Sequence, residues 1–133
     1  MNKKFFISTF VVFIVMMATG FLVHGFLLHG DYSQLPNLFR SEEDSSHYFG
    51  YMLAAHVMMA GALVWLYKKG KQSKPFFGQG IRFGLALALV STIPIYLIYF
   101  VVQPMPSSLV IKQIAFDTLS TMFIGVVVAW LEK

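Results

Sequence analysis

The run Ile81-Arg82-Phe83-Gly84-Leu85-Ala86-Leu87-Ala88-Leu89-Val90-Ser91-Thr92-Ile93-Pro94-Ile95-Tyr96-Leu97-Ile98-Tyr99-Phe100-Val101-Val102 is followed by only Gln103-Pro104-Met105-Pro106-Ser107-Ser108 before a second apolar run, Leu109 to Leu131. Each run matches the roughly 20 residues a helix needs to cross a hydrocarbon layer of about 30 Å. The two prolines end one helix and the serines can cap the next, so the pair is expected to form a tight antiparallel hairpin. Working outward, two further runs of the same kind precede it, giving expected helices at about 5–28, 47–67, 81–102 and 109–131. The expectation is an all-α protein, a four transmembrane helix bundle that occupies 1–133 as a single domain.

Composition agrees with that reading. Of 133 residues, 57% are hydrophobic and 12% charged, more apolar side chain than a water-soluble domain of this size can cover. The chain has no cysteine, which excludes disulfides, thiolate metal ligation and cysteine nucleophiles. The net charge of +4 is carried at helix ends, where it acts on topology, and nucleic-acid binding is a poor reading.

Cations decide the orientation, because Lys and Arg in short loops resist translocation while acidic residues count for little. Of ten Lys and Arg residues, one set of ends holds Lys3, Lys4, Lys68, Lys69, Lys71, Lys74, Arg82 and Lys133, and the opposite set only Arg40 and Lys112. Both termini and the loop around Lys68 to Gly80 are therefore expected in the cytoplasm, and the acidic loop 29–46 outside. The start Met1-Asn2-Lys3-Lys4 also has the look of a secretory signal, with Ala18-Thr19-Gly20 as a small-residue cleavage site. The apolar run continues to Leu28, beyond the roughly 7–15 residues of a signal core, so the first helix is expected to be retained.

Small residues at a spacing of four mark the expected seams: Gly80, Gly84 and Ala88 on the third helix, Asp117, Thr121 and Gly125 on the fourth, and Gly50, Ala54 and Gly61 on the second. Pro94 is expected to kink the third helix, with Ser91 repairing part of the lost bonding. Tyr96 and Tyr99, toward one end, and Trp65, Tyr67 and Trp130, toward the other, read as aromatic belts.

A carboxylate inside the apolar layer needs a partner, which makes Asp117 the most informative residue. It lies roughly 12 Å in from Leu109, and His56 on the second helix roughly 13 Å in from the same side, at 1.5 Å per residue. The matched depths predict an intramembrane polar pair, His56 with Asp117, serving either as interhelical glue or as a protonatable site. Lys112 competes for Asp117 from the helix end. His24, His29 and His47 gather near the exterior ends of the first two helices and are weak candidates for a metal site with Asp31 or Glu43. The five-residue step from His24 to His29 is not the spacing that aligns two ligands on one helical face. A bis-imidazole haem pairing of His24 with His56 or His47 is conceivable in a bundle, but no pair is matched in depth. No cofactor is required by the sequence, and the eight methionines read as core filling.

The run Gly78-Gln79-Gly80-Ile81-Arg82-Phe83-Gly84-Leu85, followed by Pro94, Tyr99 and Pro104, resembles a pattern in small uncharacterised four-span proteins of the bacterial inner membrane, a domain of unknown function. The likeness covers mainly the second half of the chain and implies architecture and a bacterial inner-membrane setting, with no activity or site residue to carry over.

Three functions follow as expectations. The first is a non-enzymatic accessory, assembly or structural component of a larger membrane complex, with the lipid bilayer and other membrane chains or further copies of itself as partners. The second is a small proton-linked transporter or channel-like module using Asp117 and His56. The third is a metal- or haem-binding redox protein. No nucleophile or acid–base pair can be assembled, so the expectation leans away from an enzyme.

Overall fold

The computed structural model describes residues 2–133. Every regular element in it is helical. Helix α1 (Lys3–Gly20) runs without interruption into a wide π-turn, Phe21–Leu27; two short helices, α2 (His29–Ser33) and α3 (Glu42–Ser46), lie in the connection to α4 (Phe49–Gly70). The third long helix is built from α5 (Phe76–Leu87), a second π-turn at Ala88–Thr92, and α6 (Ile93–Val102), and the last is α7 (Ser107–Leu131). The four long helices Lys3–Leu27, Phe49–Gly70, Phe76–Val102 and Ser107–Leu131 are long and apolar enough to cross a membrane.

Local chemistry explains most of the boundaries. Asn2 caps α1 by accepting from the Phe5 amide at 3.1 Å, and Ser41 caps α3 through the Asp44 amide at 3.2 Å. Pro94 has no N–H to give, and the helix accommodates this by widening over the preceding turn. Ser91 Oγ donates one turn back to the Leu87 carbonyl at 2.7 Å, a local back-bond, and not to the Val90 carbonyl that Pro94 leaves without its donor, so the expected repair by Ser91 is not seen. The expected serine cap of the last helix is not used: Pro106 stands at the N-cap position with no side-chain hydrogen bond.

The last two long helices form the tightest seam. An ideal Cβ on Gly84 would lie 2.5 Å from the Met122 Cα and the Thr121 carbonyl oxygen, and one on Gly80 would lie 2.5 Å from the Val126 Cα. A Cβ on Gly125 would strike the Gly80 carbonyl. Backbone therefore touches backbone along α5 and α7, the close approach that small residues permit between helices in lipid. The second helix behaves differently. Gly50 and Ala54 are exposed, and a Cβ on Gly50 would meet nothing. Only Gly61 of that expected stripe approaches a neighbour, with Thr9 Cγ2 3.8 Å from where its Cβ would be. What α4 buries is Ala60, Val64 and Tyr67, and it packs chiefly against α1, while α1 in turn lies on α7.

Two cores result. Near the chain termini, Val12, Met16, Ala60, Val64, Val128 and Ala129 meet between three helices; near the long connection, Val23, Leu28 and Leu109 are covered by Tyr32, Leu35 and Phe39. The connection is thus packed down onto the bundle.

The eight cations expected on one side, from Lys3 and Lys4 through Lys68, Lys69, Lys71, Lys74 and Arg82 to Lys133, gather at one end of the bundle. Lys71 Nζ donates to the Glu132 carbonyl at 2.7 Å and Lys4 Nζ to the Lys133 carbonyl at 3.5 Å. At the opposite end Lys112 Nζ donates to Asp31 at 3.0 Å, so Lys112 is spent on the connection and leaves Asp117 to other partners.

Candidate functional site: a carboxylate-centred polar cluster

Asp117 lies well inside α7, on the face that carries Thr121 and Gly125. Its carboxylate meets His24 Nε2 at 3.0 and 3.1 Å and accepts a further hydrogen bond from the Tyr96 hydroxyl. The other nitrogen of the imidazole, Nδ1, is 2.6 Å from the Tyr32 hydroxyl, and Gln113 Nε2 donates to that same hydroxyl at 3.2 Å. Five side chains from the π-turn after α1, from α2, α6 and α7 are joined in one chain of contacts.

The directions of these bonds follow from counting protons. Tyr32 has one proton and already accepts from Gln113, so its O–H donates to His24 Nδ1; Nε2–H then donates to Asp117, which also receives the Tyr96 proton. With that tautomer every donor in the sequence Gln113, Tyr32, His24 and Tyr96 finds an acceptor. A second proton on the imidazole would instead turn Nδ1 into a donor and displace the Tyr32 O–H. Burial pushes the Tyr32 phenol above its ordinary value, with the Gln113 hydrogen bond pulling the other way, so this hydroxyl keeps its proton through neutral pH. Gln113 is 4% exposed, and its Oε1 is buried with no protein partner. Thr121 Oγ1 donates to the Asp117 carbonyl at 2.7 Å and lies 3.4 Å from Thr92 Oγ1, which ties the carboxylate's own turn to the π-turn before Pro94.

The expected partnership of His56 with Asp117 is corrected by this geometry. Depth along the helices was matched, but α4 lies against α1 rather than across from Asp117. His56 folds back on its own helix, Nδ1 donating to the Met52 carbonyl at 2.8 Å, and its Nε2 comes near Gly20 of α1. His24 takes its place: it stands in the π-turn that closes the first long helix at Leu27, and that turn carries the imidazole against α7. Tyr96, read from sequence as a belt residue, faces inward to the carboxylate. Tyr32 and Gln113 carried no sequence signal beyond their polarity.

The histidines proposed as metal ligands do not converge. His24 uses both ring nitrogens on Tyr32 and Asp117, His29 Nδ1 is 3.5 Å from the exposed Glu42 carboxylate, and His47 closes α3. Among the described residues no group of three His, Asp or Glu side chains is arranged to hold a metal ion.

A second carboxylate offers a contrast. Glu132 is 1% exposed; it accepts from Ser8 Oγ at 2.6 Å and lies 4.0 Å from Lys4 Nζ. A group so enclosed and so simply paired fixes the termini together. The Asp117 side chain is 20% accessible and that of His24 35%, so the larger network, with more partners, is the more open one.

No family model, no curated protein and no solved structure matches the chain.

Proposed function

We propose that this chain is a multi-pass protein of the bacterial inner membrane, with both termini and the loop after α4 in the cytoplasm, and that it works as a small proton-linked transport or channel-like module centred on Asp117. His24, not His56, is the imidazole of that site. The orientation rests on the cationic end described above, since Lys and Arg stay on the cytoplasmic side. A bacterial inner membrane is what the resemblance of the third helix implies.

The observation that carries the functional reading is the continuous hydrogen-bonded chain from Tyr96 through Asp117 and His24 to Tyr32, ending beside the exterior connection. An ionisable group within a membrane span is expensive, and such groups mark ion and proton pathways in many membrane proteins. A pin for helix register needs only a dry setting and a local partner, which is how Glu132 is held by Ser8 and Lys4. Asp117 has two donors from different helices and a half-open imidazole, an arrangement in which a proton can be passed between a carboxylate, an imidazole and a phenol. Tyr96 and the Thr121 backbone contact position the carboxylate.

Proton flux into liposomes loaded with a pH-sensitive dye tests the reading. Wild-type protein is expected to carry flux that Asp117→Asn and His24→Gln reduce to the level of empty liposomes, while His56→Gln leaves it unchanged. Equal flux in wild type and Asp117→Asn would refute it.

An assembly role has its own support. Val90, Val101 and Tyr51 are 80%, 85% and 78% exposed, so the outer faces of the second and third long helices are broad and apolar. Lipid, other membrane chains or a second copy of this chain fit such faces, and a transport module of this size would be completed by self-association.

A further inference from the structure

At the end of the bundle opposite to Asp117, the loop after α4 bounds a cleft of about 510 Å³ between Tyr67, Lys71, Lys74, Phe76, Gln79 and Lys133. A second hollow of about 410 Å³ adjoins it and adds Arg82 and Phe83 to the wall. We propose that this cleft binds the phosphate headgroup of an anionic phospholipid.

The walls are built rather than incidental. Gln79 reaches back from α5 and clamps the loop at three points: its Oε1 accepts from the Gln72 amide at 2.8 Å, and its Nε2 donates to the Gln72 carbonyl at 2.8 Å and the Lys74 carbonyl at 2.7 Å. The short cationic segment is thereby held in one shape, with its lysines set around the hollow. Charge is unbalanced there. Among the described residues, Lys71, Lys74, Arg82 and Lys133 make no ion pair with a carboxylate. The acidic residue in the wall, Glu132, turns its carboxylate inward to Ser8 and Lys4 and offers Lys71 only its backbone carbonyl. Three cations around the cleft and Arg82 in the adjoining hollow, none ion-paired with a carboxylate side chain, fit an anion with several acceptor oxygens.

Position selects the source of that anion. The cleft opens where the apolar helices end, beside Leu66, Phe77 and Trp130, which are 47%, 61% and 50% exposed. Acyl chains can lie along those side chains while the phosphate enters the cleft, and basic pockets between helices at the cytoplasmic surface are where anionic headgroups settle. The inference does not depend on the role of Asp117.

Native mass spectrometry of the purified full chain, titrated separately with phosphatidylglycerol, phosphatidylcholine and inorganic phosphate, tests it. Lys74→Gln/Arg82→Gln removes two cations whose side chains hold no other element in place, and its unchanged melting temperature in phosphatidylcholine would verify the fold. At about fivefold per cation near an anionic headgroup, the double variant is expected to bind phosphatidylglycerol about 30-fold more weakly than wild type. Lys3→Gln/Lys69→Gln, with the same charge loss at the same end, is expected to keep most of its affinity. Phosphatidylglycerol binding as weakly as phosphatidylcholine, or equally to wild type and Lys74→Gln/Arg82→Gln, would overturn the proposal. Inorganic phosphate binding as tightly as phosphatidylglycerol, with the same loss in the double variant, would overturn the lipid as its occupant and leave a free-phosphate site.

Discussion

Gly84→Ala is expected to lower the stability of the bundle by about 1–3 kcal/mol, the usual range for forcing a methyl group into a filled space. The upper part of that range applies, because the obstruction is main chain. The added carbon would sit 2.5 Å from the Met122 Cα and the Thr121 carbonyl, and neither can rotate aside as a side chain can. The helices would have to separate, which also pulls Thr121 and the Asp117 turn from Thr92. Gly50→Ala is the matched control. It lies within α4 facing open space, where replacing glycine in a helix stabilises by about 0.4–1 kcal/mol through the unfolded chain alone. Reversible unfolding in mixed micelles, followed by circular dichroism, distinguishes the two. A Gly84→Ala protein as stable as wild type would mean that α5 and α7 are not in backbone contact.

Asp117→Leu is expected to have the second large effect. Removing the carboxylate strands the His24 Nε2–H and the Tyr96 hydroxyl at once, and each donor left without an acceptor in a largely enclosed site costs about 1–3 kcal/mol. Partial exposure of both His24 and Asp117 places the sum toward the lower half of that combined range. Asp117→Asn keeps one acceptor oxygen and presents an amide to the second donor, so it should lose about half as much. His56→Leu should change stability little beyond its single bond to Met52. The same unfolding measurement on the three variants gives the ordering; His56→Leu proving as harmful as Asp117→Leu would restore His56 to the site.

These expectations show which features were legible in the sequence. The apolar runs marked four long helices, and the spacing of Gly80, Gly84, Thr121 and Gly125 marked inward faces on the last two, which the structure packs against each other. Cations segregated by loop also anticipated which ends meet. Asp117 stood out as the one carboxylate deep in an apolar run. Its partner was not legible, since depth can be counted along a sequence but neighbourhood around a bundle cannot. A π-turn adds further rotation: the Phe21–Leu27 turn carries no sequence mark, yet it sets the direction of His24. Tyr32 and Tyr96 were hidden by ambiguity, because an amphipathic phenol near a helix end suits a membrane interface as well as an inward hydrogen bond. Gly50 and Ala54 misled for the converse reason, being small residues on a face that nothing approaches. Glu132, next to the last residue, gave no hint that its carboxylate would turn inward to Ser8.

The proposed transport route places proton transfer at the Asp117 carboxylate, in the site it forms with His24 and Tyr96. Infrared difference spectroscopy of the reconstituted protein, recorded between pH values over which the fold is intact, observes that event in the carboxyl stretching region. The expected result is a band that is absent in Asp117→Asn, shifted in Tyr96→Phe and unaltered in His56→Leu. Identical difference spectra for wild type and Asp117→Asn would contradict it.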